Sequence, residues 1–290
     1  MKKKILFIIN PISGVGRQKI AEKIIAEKIN KNLFDYEIEY TNAAKHAIAL
    51  SKKGTQESFN IITAVGGDGS VNEVAKSLIG TPVALAILPC GSGNGTARHM
   101  KLPINLNKAL QIINQDKITI IDTFSINNEF AINTAGIGFA AHIANAFSKL
   151  KKRGFENYIK IAIKDSFNYK SQPCSIEIGG HIKNVNAFII DICNGSQWGN
   201  NAAIAPHAEN NDGLLDLCIV SNFPFINFPL MATRLFTKSI HKSKFVEIIK
   251  VKEVLIRQEK MIAHIDGEPI EIGNELRVKI NPLSLKVVVP

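Results

Sequence analysis

The chain has 290 residues, of which 46% are hydrophobic, so it can form one large globular domain or two ordinary ones. Its net charge of +10 points to anionic partners such as nucleotides or acidic lipids. Only 7% of the residues are aromatic and no aromatic RNA-binding motif is present, which argues against a dedicated nucleic-acid-binding protein. None of the four cysteines has C-x-x-C spacing, which excludes common zinc sites and favours reduced, buried thiols in a cytoplasmic protein.

Strands and helices alternate over roughly the first 120 residues. The predicted elements are, in chain order, strand Ile5–Ile9, helix Arg17–Ile29, strand Tyr36–Tyr40, helix Ala43–Ser51, strand Asn60–Val65, helix Ser70–Leu78, strand Val83–Leu88, helix Gly93–His99 and helix Leu106–Ile113. Thr41 or Asn42 is predicted to cap the second helix, and Ser70 the third. This rhythm predicts an N-terminal α/β domain with a doubly wound, mainly parallel sheet.

The alternation ends near Ile120, and strands separated by polar turns follow. They are predicted at Ile120–Ile126, Glu129–Thr134, Cys174–Ile178, Ala187–Asn194, Gly213–Val220, Glu253–Ile256 and Met261–Ile265. We therefore expect a second, mainly antiparallel β-sandwich domain with helical inserts near His142–Tyr169 and Pro229–Ser243. The predicted domains are residues 1–122 and 123–290, and the strand-like tail Glu275–Val289 could return to either.

Three glycine-rich stretches, Asn10–Gly16, Gly66–Ser70 and Gly91–Gly95, each follow a predicted strand. Because the carboxyl ends of parallel strands lie at one edge of a sheet, we expect these loops to converge into a cradle for phosphate. Asp68 lies on the second loop, where a carboxylate can hold Mg²⁺ against nucleotide phosphates. The alternative for each loop is an ordinary strand-to-helix turn.

Two acidic segments lie in the predicted second domain. In Ile265–Pro269, Asp266 and Glu268 flank a glycine, and either carboxylate can accept a proton from a substrate hydroxyl. A plain β-turn is an equally good interpretation. The segment Glu209–Asp216 concentrates oxygen ligands that suit Mg²⁺, although a polar turn is the stronger interpretation there.

The segments Ser148–Lys170 and Arg234–Lys252 are rich in basic residues, and both are predicted to contain amphipathic helices. Basic amphipathic helices suit anionic membrane surfaces. The alternative is a solvated helix face above an apolar stripe.

Taken together, these motifs resemble the diacylglycerol kinase catalytic family, which includes bacterial diacylglycerol kinases, broader bacterial lipid kinases and sphingosine kinases. The resemblance extends nearly end to end. The motifs occur in family order, as Asn10-Pro11-x-Ser13-Gly14, Gly66-Gly67-Asp68-Gly69-Ser70-x-Asn72-Glu73, Gly91-Ser92-Gly93-Asn94, Asn211-Asp212-Gly213-Leu214-Leu215-Asp216 and Asp266-Gly267-Glu268.

The resemblance implies transfer of the γ-phosphoryl of ATP to the hydroxyl of a diacylglycerol- or sphingoid-like lipid, with Mg²⁺, by an enzyme peripheral to the inner membrane. It makes Glu268 the proton acceptor with Asp266 beside it, and Asp68 the third catalytic residue. It assigns a structural Mg²⁺ site to Glu209, Asp212 and the carbonyl of Leu214. The implied nucleotide contacts are Asn10, Pro11, Ile12, Ser13, Gly14, Thr41, Gly66, Gly67, Asp68, Gly69, Ser70, Val71, Asn72 and Ser92.

Two departures leave the lipid open. Gly95 stands where diacylglycerol kinases usually carry Asp, and Ala140 stands where relatives often carry an Asp that in sphingosine kinases holds the substrate amine. The oligomeric state is open as well, a homodimer included.

NAD kinase is the nearest alternative enzyme, because it shares the Gly-Gly-Asp-Gly turn and a β-rich second domain. The Asn10-Pro11 and Gly91–Asn94 motifs argue against it. A non-catalytic nucleotide- or lipid-binding protein of the same fold is the other alternative. Retention of Asp68, Asp266 and Glu268 argues for an enzyme.

Overall fold

The computed structural model describes residues 2–12, 17–150 and 155–290. The chain forms two compact units: residues up to Ile121 together with Leu283–Pro290, and Asp122–Pro282. We call them the α/β unit and the sandwich unit. Two long strands, which begin in one unit and end in the other, connect them.

The α/β unit contains alternating strands and helices. They are β1 (Lys3–Ile9), α1 (Gln18–Lys28), β2 (Phe34–Tyr40), α2 (His46–Gln56), β3 (Ile61–Gly66), α3 (Asp68–Lys76), β4 (Ala84–Pro89), α4 (Gly95–His99), α5 (Leu106–Gln115) and the first part of β5 (Ile118–Ile126).

The sheet of this unit is parallel, with strand order β2-β1-β3-β4. Every residue of β3 and β4 is buried, because helices cover both faces of the sheet. The chain moves outward from β1 to β2 and then crosses back to β3. In open α/β sheets of this kind, ligands bind beyond the carboxyl ends of the strands where the order reverses. That position lies here between β1 and β3.

The two predicted helix caps in this unit are wrong. The helix α2 begins at His46 with Lys45 as its N-cap residue, so neither Thr41 nor Asn42 caps it. Thr41 instead extends the β1–β2 pairing, because its N–H donates to the carbonyl of Ile9 at 2.9 Å. The helix α3 begins before Ser70, which therefore lies inside it, and the N-cap residue is a glycine whose side chain offers no acceptor.

The sandwich unit begins with the second part of β5 and ends with the first part of β15. Between and including them lie β6 (Glu129–Ala131), β7 (Thr134–Gly138), α6 (Phe139–Ser148), α7 (Phe155–Ser166), β8 (Pro173–Ile178), β9 (His181–Cys193), β10 (Leu215–Ser221), α8 (Phe228–Phe236), β11 (Val246–Val251), β12 (Glu253–Arg257), β13 (Ile262–Ile265), β14 (Glu268–Glu271) and β15 (Glu275–Val288).

Two layers form the sandwich. One has the order β14-β13-β7-β9-β10-β11, and the other contains β8, β12, β15, β5 and β6. Eight strand pairs within these layers are antiparallel: β9–β10, β10–β11, β7–β9, β7–β13, β13–β14, β8–β12, β12–β15 and β5–β6. The strand β9 is long enough to take part in both layers: its first half pairs with β8 and its second half with β7 and β10. The predicted combination of a parallel α/β domain and an antiparallel sandwich is confirmed.

The basic segment Arg234–Lys252 is not the amphipathic helix that the sequence suggested. The helix α8 ends at Phe236, and the strand β11 then pairs with β10. The earlier insert contains two helices, α6 and α7, with residues 151–154 outside the described ranges. The final strand β15 confirms the strand character of the tail, and its last residues pair in parallel with β4 of the α/β unit.

All four cysteines are buried and free, as predicted. Across the described part of the chain, no helix is both long and apolar enough to cross a bilayer.

Candidate functional site

The first glycine-rich loop follows β1, which is one of the two strands between which the strand order reverses. The side chain of Asn10 fixes this loop at two points: Nδ2 donates to Ser70 Oγ at 3.2 Å, and Oδ1 accepts the N–H of Ile12 at 3.1 Å. The side chain of Ile12 is 90% exposed. Two further residues of the predicted cradle, Ser13 and Gly14, lie outside the described residues. The first loop is thus joined to the first turn of α3, as the convergence of the motifs implied.

The second and third glycine loops touch through their backbones. A Cβ atom on Gly91 would lie 2.5 Å from the Cα of Gly67, which no side chain can tolerate. The carbonyl of Gly66 accepts two N–H groups from the third loop, those of Cys90 at 2.8 Å and Gly91 at 3.2 Å. These glycines are therefore required by the contact between the loops as well as by any ligand that approaches them.

Asp68 joins the second loop to the start of α4. Its two carboxylate oxygens accept the N–H groups of Gly95 at 3.0 Å and Thr96 at 3.1 Å. A carboxylate at a helix N-terminus satisfies N–H groups that have no partner within the helix. The N-terminus of α4 is therefore capped by Asp68 itself, which revises the expectation that all three loops offer their N–H groups to phosphate.

Other predicted nucleotide contacts surround these loops. Ser92 is half-buried in the third loop, and Thr41 is 9% exposed just beyond β2. Asn72 lies within α3. Val71 is 2% exposed with its side chain in the core, so only its backbone is placed to meet a ligand.

The thiol of Cys90 lies just before the third loop. Burial raises its pKa to about 11, with a smaller opposing effect from the positive charge of Arg17. The neutral thiol is a poor nucleophile at neutral pH. Cys90 therefore fills the core at the base of the loops.

In the sandwich unit, Asp266 and Gly267 form the two-residue turn between β13 and β14. Their φ angles are +49° and +87°, the left-handed values that a type I′ hairpin turn requires. The carboxylate of Asp266 accepts three backbone N–H groups, from Ile132 at 3.1 Å, Asn133 at 2.8 Å and Thr134 at 3.0 Å. Asp266 is 7% exposed. Its carboxylate fastens the hairpin to the segment before β7.

Glu268 differs from Asp266 in its surroundings. It is the first residue of β14, it pairs with Ile265 across the turn, and its side chain is exposed. Of the two carboxylates in this turn, Glu268 is the one that a substrate can reach.

Sequence reasoning missed a buried polar row beneath this hairpin. His264, Gly136 and Asp191 lie side by side on β13, β7 and β9. The Nε2 atom of His264 is 3.1 Å from Asp191 Oδ1, without the angles of a hydrogen bond, and Trp198 Nε1 donates to the other oxygen. A Cβ on Gly136 would lie 2.4 Å from Asp191 Oδ1. The sequence gives one signal of this row, which is Gly136 within an apolar strand. A glycine at such a position marks a close approach of another chain segment.

In the acidic turn before β10, two carboxylates bind the same lysine. Asp212 and Asp216 both accept hydrogen bonds from Lys250 Nζ, at 2.8 and 2.9 Å. Glu209 is exposed. Among the described residues, no group of three or more His, Cys, Asp or Glu side chains could hold a metal ion. The predicted set of Glu209, Asp212 and the carbonyl of Leu214 contains only two carboxylates, and as a magnesium site it stays a prediction.

Comparison with known proteins identifies the same two units. The profile of the diacylglycerol kinase catalytic domain matches residues 4–126, and that of the YegS C-terminal NAD kinase beta sandwich-like domain matches residues 133–289. A "Probable lipid kinase YegS-like" protein of Chromohalobacter salexigens is 29% identical over 250 residues, covering 84% of this chain and 80% of the relative. One of the same name from Pectobacterium atrosepticum is 27% identical over 292 residues, covering 98% and 95%.

Solved structures agree in fold. The crystal structure of a "putative diacylglycerol kinase" from Bacillus anthracis superposes with a TM-score of 0.83 at 22% identity, covering 100% of this chain and 95% of that one. The second profile alone spans more than half of the chain, and the two profiles together account for both units. The chain therefore belongs to the diacylglycerol kinase family, in its YegS-like branch.

Proposed function

We propose that this protein is an ATP-dependent lipid kinase that transfers the γ-phosphoryl group of ATP to the hydroxyl of a diacylglycerol- or sphingoid-like lipid. The observation that carries the proposal is the joined set of Asn10, Gly67 and Asp68 at the point where the strand order of the α/β sheet reverses. The relatives' name, "Probable lipid kinase YegS-like", supports a lipid as the acceptor.

In this proposal the α/β unit binds ATP through the loops after β1 and β3, including Gly66, Gly69, Ser70, Ser13 and Gly14. The residues fit a nucleotide, because the loops lack side chains where they approach each other and α3 presents its N-terminus there. Mg²⁺ bound with ATP would neutralise the transferring phosphoryl group. Asp68 is half-buried, so it is accessible to the ion while it holds the third loop.

Glu268 is proposed as the group that accepts the proton of the lipid hydroxyl. Phosphoryl transfer is loose, so positioning contributes strongly, and a general base typically adds about 10²- to 10⁴-fold. Asp266 supports Glu268 by fixing the turn, since its carboxylate is held by three N–H groups.

Ala140 and Gly95 are the two positions that bear on the class of lipid headgroup. Ala140 is 7% exposed within an apolar cluster, so this position offers no carboxylate to a substrate amine. Gly95 donates its N–H to Asp68 and offers no side chain either. Ala140 thus argues against a sphingoid base, whereas Gly95, which departs from the diacylglycerol kinase pattern, gives no ground for preferring diacylglycerol.

A transfer assay tests the proposal directly. The protein is incubated with γ-³²P-labelled ATP and vesicles that contain diacylglycerol, a sphingoid base or a monoacylglycerol, with NAD as a separate acceptor. Label is expected in a lipid. Label in NAD alone would establish the NAD kinase alternative, and no transfer to any acceptor would leave a non-catalytic binding protein.

A matched pair of variants tests the role of Glu268. Glu268→Gln keeps the size and hydrogen-bonding capacity of the side chain but cannot accept the proton. We expect kcat to fall at least ~10²-fold with nearly unchanged affinity for ATP. Glu271→Gln alters an exposed carboxylate on the same strand and serves as the control. A loss confined to ATP binding would place Glu268 at the nucleotide instead. If neither kcat nor the affinity for ATP changed, the turn would serve only to connect two strands.

We further propose that the sandwich unit approaches its lipid on an anionic membrane surface. Apolar side chains are exposed on this unit, with Phe167 at 61%, Ile226 at 85% and Leu230 at 49%. The ring centroids of Phe167 and Phe225 lie 4.0 Å apart with the rings tilted by 32°, and the exposed Lys164 lies three residues before Phe167. Exposed aromatic and aliphatic groups beside lysines suit an interface of anionic lipids.

Vesicle sedimentation tests this surface. Binding is expected to vesicles with anionic lipid and not to zwitterionic vesicles, and it should weaken as salt rises. Ile226→Ser should weaken binding without altering the fold, while Ile182→Ser, which changes another exposed isoleucine on the same unit, should not. Equal binding to both vesicle types would contradict the proposal.

A further inference from the structure

We infer that the ammonium group of Lys250 replaces a divalent cation at the acidic turn before β10, so that this part of the sandwich unit is ordered without a metal ion. The inference concerns the turn that contains Asp212 and leads to Asp216, and it stands apart from the proposed kinase site. It rests on where the carboxylates direct their oxygens and on the strand pairing that places the lysine.

The strand pairing places Lys250 at this turn. Lys250 on β11 is the direct cross-strand partner of Asp216 on β10. From that position Nζ reaches Asp216 Oδ2 at 2.9 Å and Asp212 Oδ2 at 2.8 Å, so one ammonium bridges both carboxylates. Opposite charges on directly paired strand residues stabilise a sheet. The bridge is therefore built into the register of the sheet.

Two further polar groups of the turn also have partners within the protein. Asp212 Oδ1 accepts the N–H of Leu214 at 3.0 Å, and the N–H of Gly213 donates to Asp122 Oδ2 at 2.8 Å. The φ angle of Gly213 is +73°, which lets the chain turn sharply between the two acidic residues. Both oxygens of Asp212 thus have partners from the protein itself.

Burial makes a positive partner necessary here. The side chain of Asp216 is only 5% exposed, and a carboxylate this far from water requires a positive or hydrogen-bonding partner. The ammonium of Lys250 lies 2.9 Å from Asp216 Oδ2 and supplies that partner.

A divalent ion does not fit beside this ammonium. Mg²⁺ requires nearly octahedral oxygen ligands at about 2.0–2.1 Å, and it would compete for the same two carboxylates. Binding would have to expel Lys250 from both, or set two positive centres within a few ångströms of each other. A metal requirement of this protein would then arise from the nucleotide alone, a consequence that rests on the proposed function.

The test measures the thermal unfolding of the purified, nucleotide-free protein in EDTA and at rising concentrations of Mg²⁺ and Mn²⁺. The wild-type Tm is expected to change by less than about 1 °C, because no strong site gains ligand on folding. Binding of Mn²⁺, followed by EPR, should show no saturable site. This first arm depends on no variant and on no kinase activity.

Lys250→Met removes the cation and leaves the carboxylates. Its Tm in EDTA should be lower than that of wild type by at least about 3 °C, and Mg²⁺ should restore part of the loss because the oxygens are now available. Lys252→Met changes an exposed lysine two residues along and should have little effect. If Mg²⁺ does not raise the Tm of Lys250→Met, the proposed exchange of lysine for metal is wrong.

The opposite result in wild type would overturn the inference outright. A saturable rise of Tm with Mg²⁺ that Asp212→Asn abolishes would show a metal site that displaces Lys250. Should Lys250→Met fail to fold, the wild-type titration and Asp212→Asn still decide between the two outcomes.

Discussion

Asp68 in the α/β unit and Asp266 in the sandwich unit both bind backbone N–H groups, but they do so at different depths. Asp68 is half-buried and accepts two N–H groups from the start of α4. Asp266 is 7% exposed and accepts three from consecutive residues. Each carboxylate holds a neighbouring chain segment within its own unit.

The difference in burial suggests different roles for the two carboxylates. A buried carboxylate must have its hydrogen bonds satisfied by the protein, and three N–H donors do this for Asp266. A half-buried carboxylate shares its oxygens with solvent, so Asp68 can both order a loop and face a bound ligand. We therefore expect Asp266 to contribute mostly to stability and Asp68 mostly to activity.

The glycines of the two units extend the comparison and give the largest expected effect. A Cβ on Gly136 would lie 2.3 Å from the carbonyl oxygen of Ile190, in the middle of the sandwich sheet where neither strand can move. Gly136→Ala should lower the free energy of unfolding by more than about 3 kcal/mol or prevent folding. Urea denaturation followed by circular dichroism measures the loss.

Gly180→Ala is the matched control, because Gly180 has a φ of +82° and nothing within 4 Å of the added Cβ. It should cost about 1 kcal/mol from backbone strain alone. Gly91→Ala tests the other unit: the clash with Gly67 is as severe, but the loops lie at the edge of the sheet, so nucleotide binding should suffer most. Equal stability of Gly136→Ala and Gly180→Ala would refute the packing argument.

The next largest effect comes from the two carboxylates themselves. In Asp266→Asn, the amide oxygen can still accept two of the three N–H groups, but the amide NH₂ faces the third. The loss should be about 3 kcal/mol of stability. In Asp68→Asn the same conflict lies at a half-buried site, and the loss should be about 1 kcal/mol, while kcat/KM falls ~10²-fold or more.

Measuring both properties for both variants sharpens the comparison. Chemical denaturation gives stability, and transfer of labelled phosphate gives kcat/KM. If Asp68→Asn were the less stable variant, or kept near-normal turnover, the assignment of roles to the two carboxylates would have to be reversed.

The α/β unit was the more predictable of the two, for a physical reason. Its strands are continuous apolar runs that end at glycine, and β1, β3 and β4 lie within two residues of their predicted bounds at each end. Both signals are local. The start of α2 was missed because Thr41 bonds to a neighbouring strand, and that contact is not local.

Many strands of the sandwich unit expose one face to solvent, so their hydrophobic patterns in the sequence are weaker than the continuous apolar runs of the α/β unit. The strand β11 reads as a basic amphipathic segment, and only its pairing with β10 shows Lys250 facing Asp216. A turn at Asp266 and Gly267 was one of the two interpretations that the sequence allowed, since Asp-Gly favours it. What the Asp266 carboxylate binds was not predicted, because its donors lie more than a hundred residues earlier in the chain.

The smallest expected effect is a loss of folding stability at acidic pH, and it arises in the α/β unit. His99 is the last residue of α4, and burial, helped by the positive charge of Lys101, lowers its pKa from 6.5 to about 4. Between these values the unfolded chain binds a proton that the folded chain does not. The contribution of the neutral imidazole to stability is therefore complete above pH 6.5 and declines as the pH falls towards 4.

Comparing wild type with His99→Gln isolates this contribution from the many other groups that titrate. Wild type should lose on the order of 1–2 kcal/mol more than His99→Gln between about pH 7 and pH 5, measured as the difference in unfolding free energy by urea denaturation. His181→Gln, at an exposed histidine that begins β9 in the sandwich unit, should leave the wild-type pH dependence unchanged. His99 is the last residue of α4, the helix whose N-terminus Asp68 caps. If His99→Gln lost as much stability in acid as wild type, the packing of α4 against its surroundings would be looser than the burial of His99 indicates. Asp68 would then hold the third loop without the support of a fixed helix.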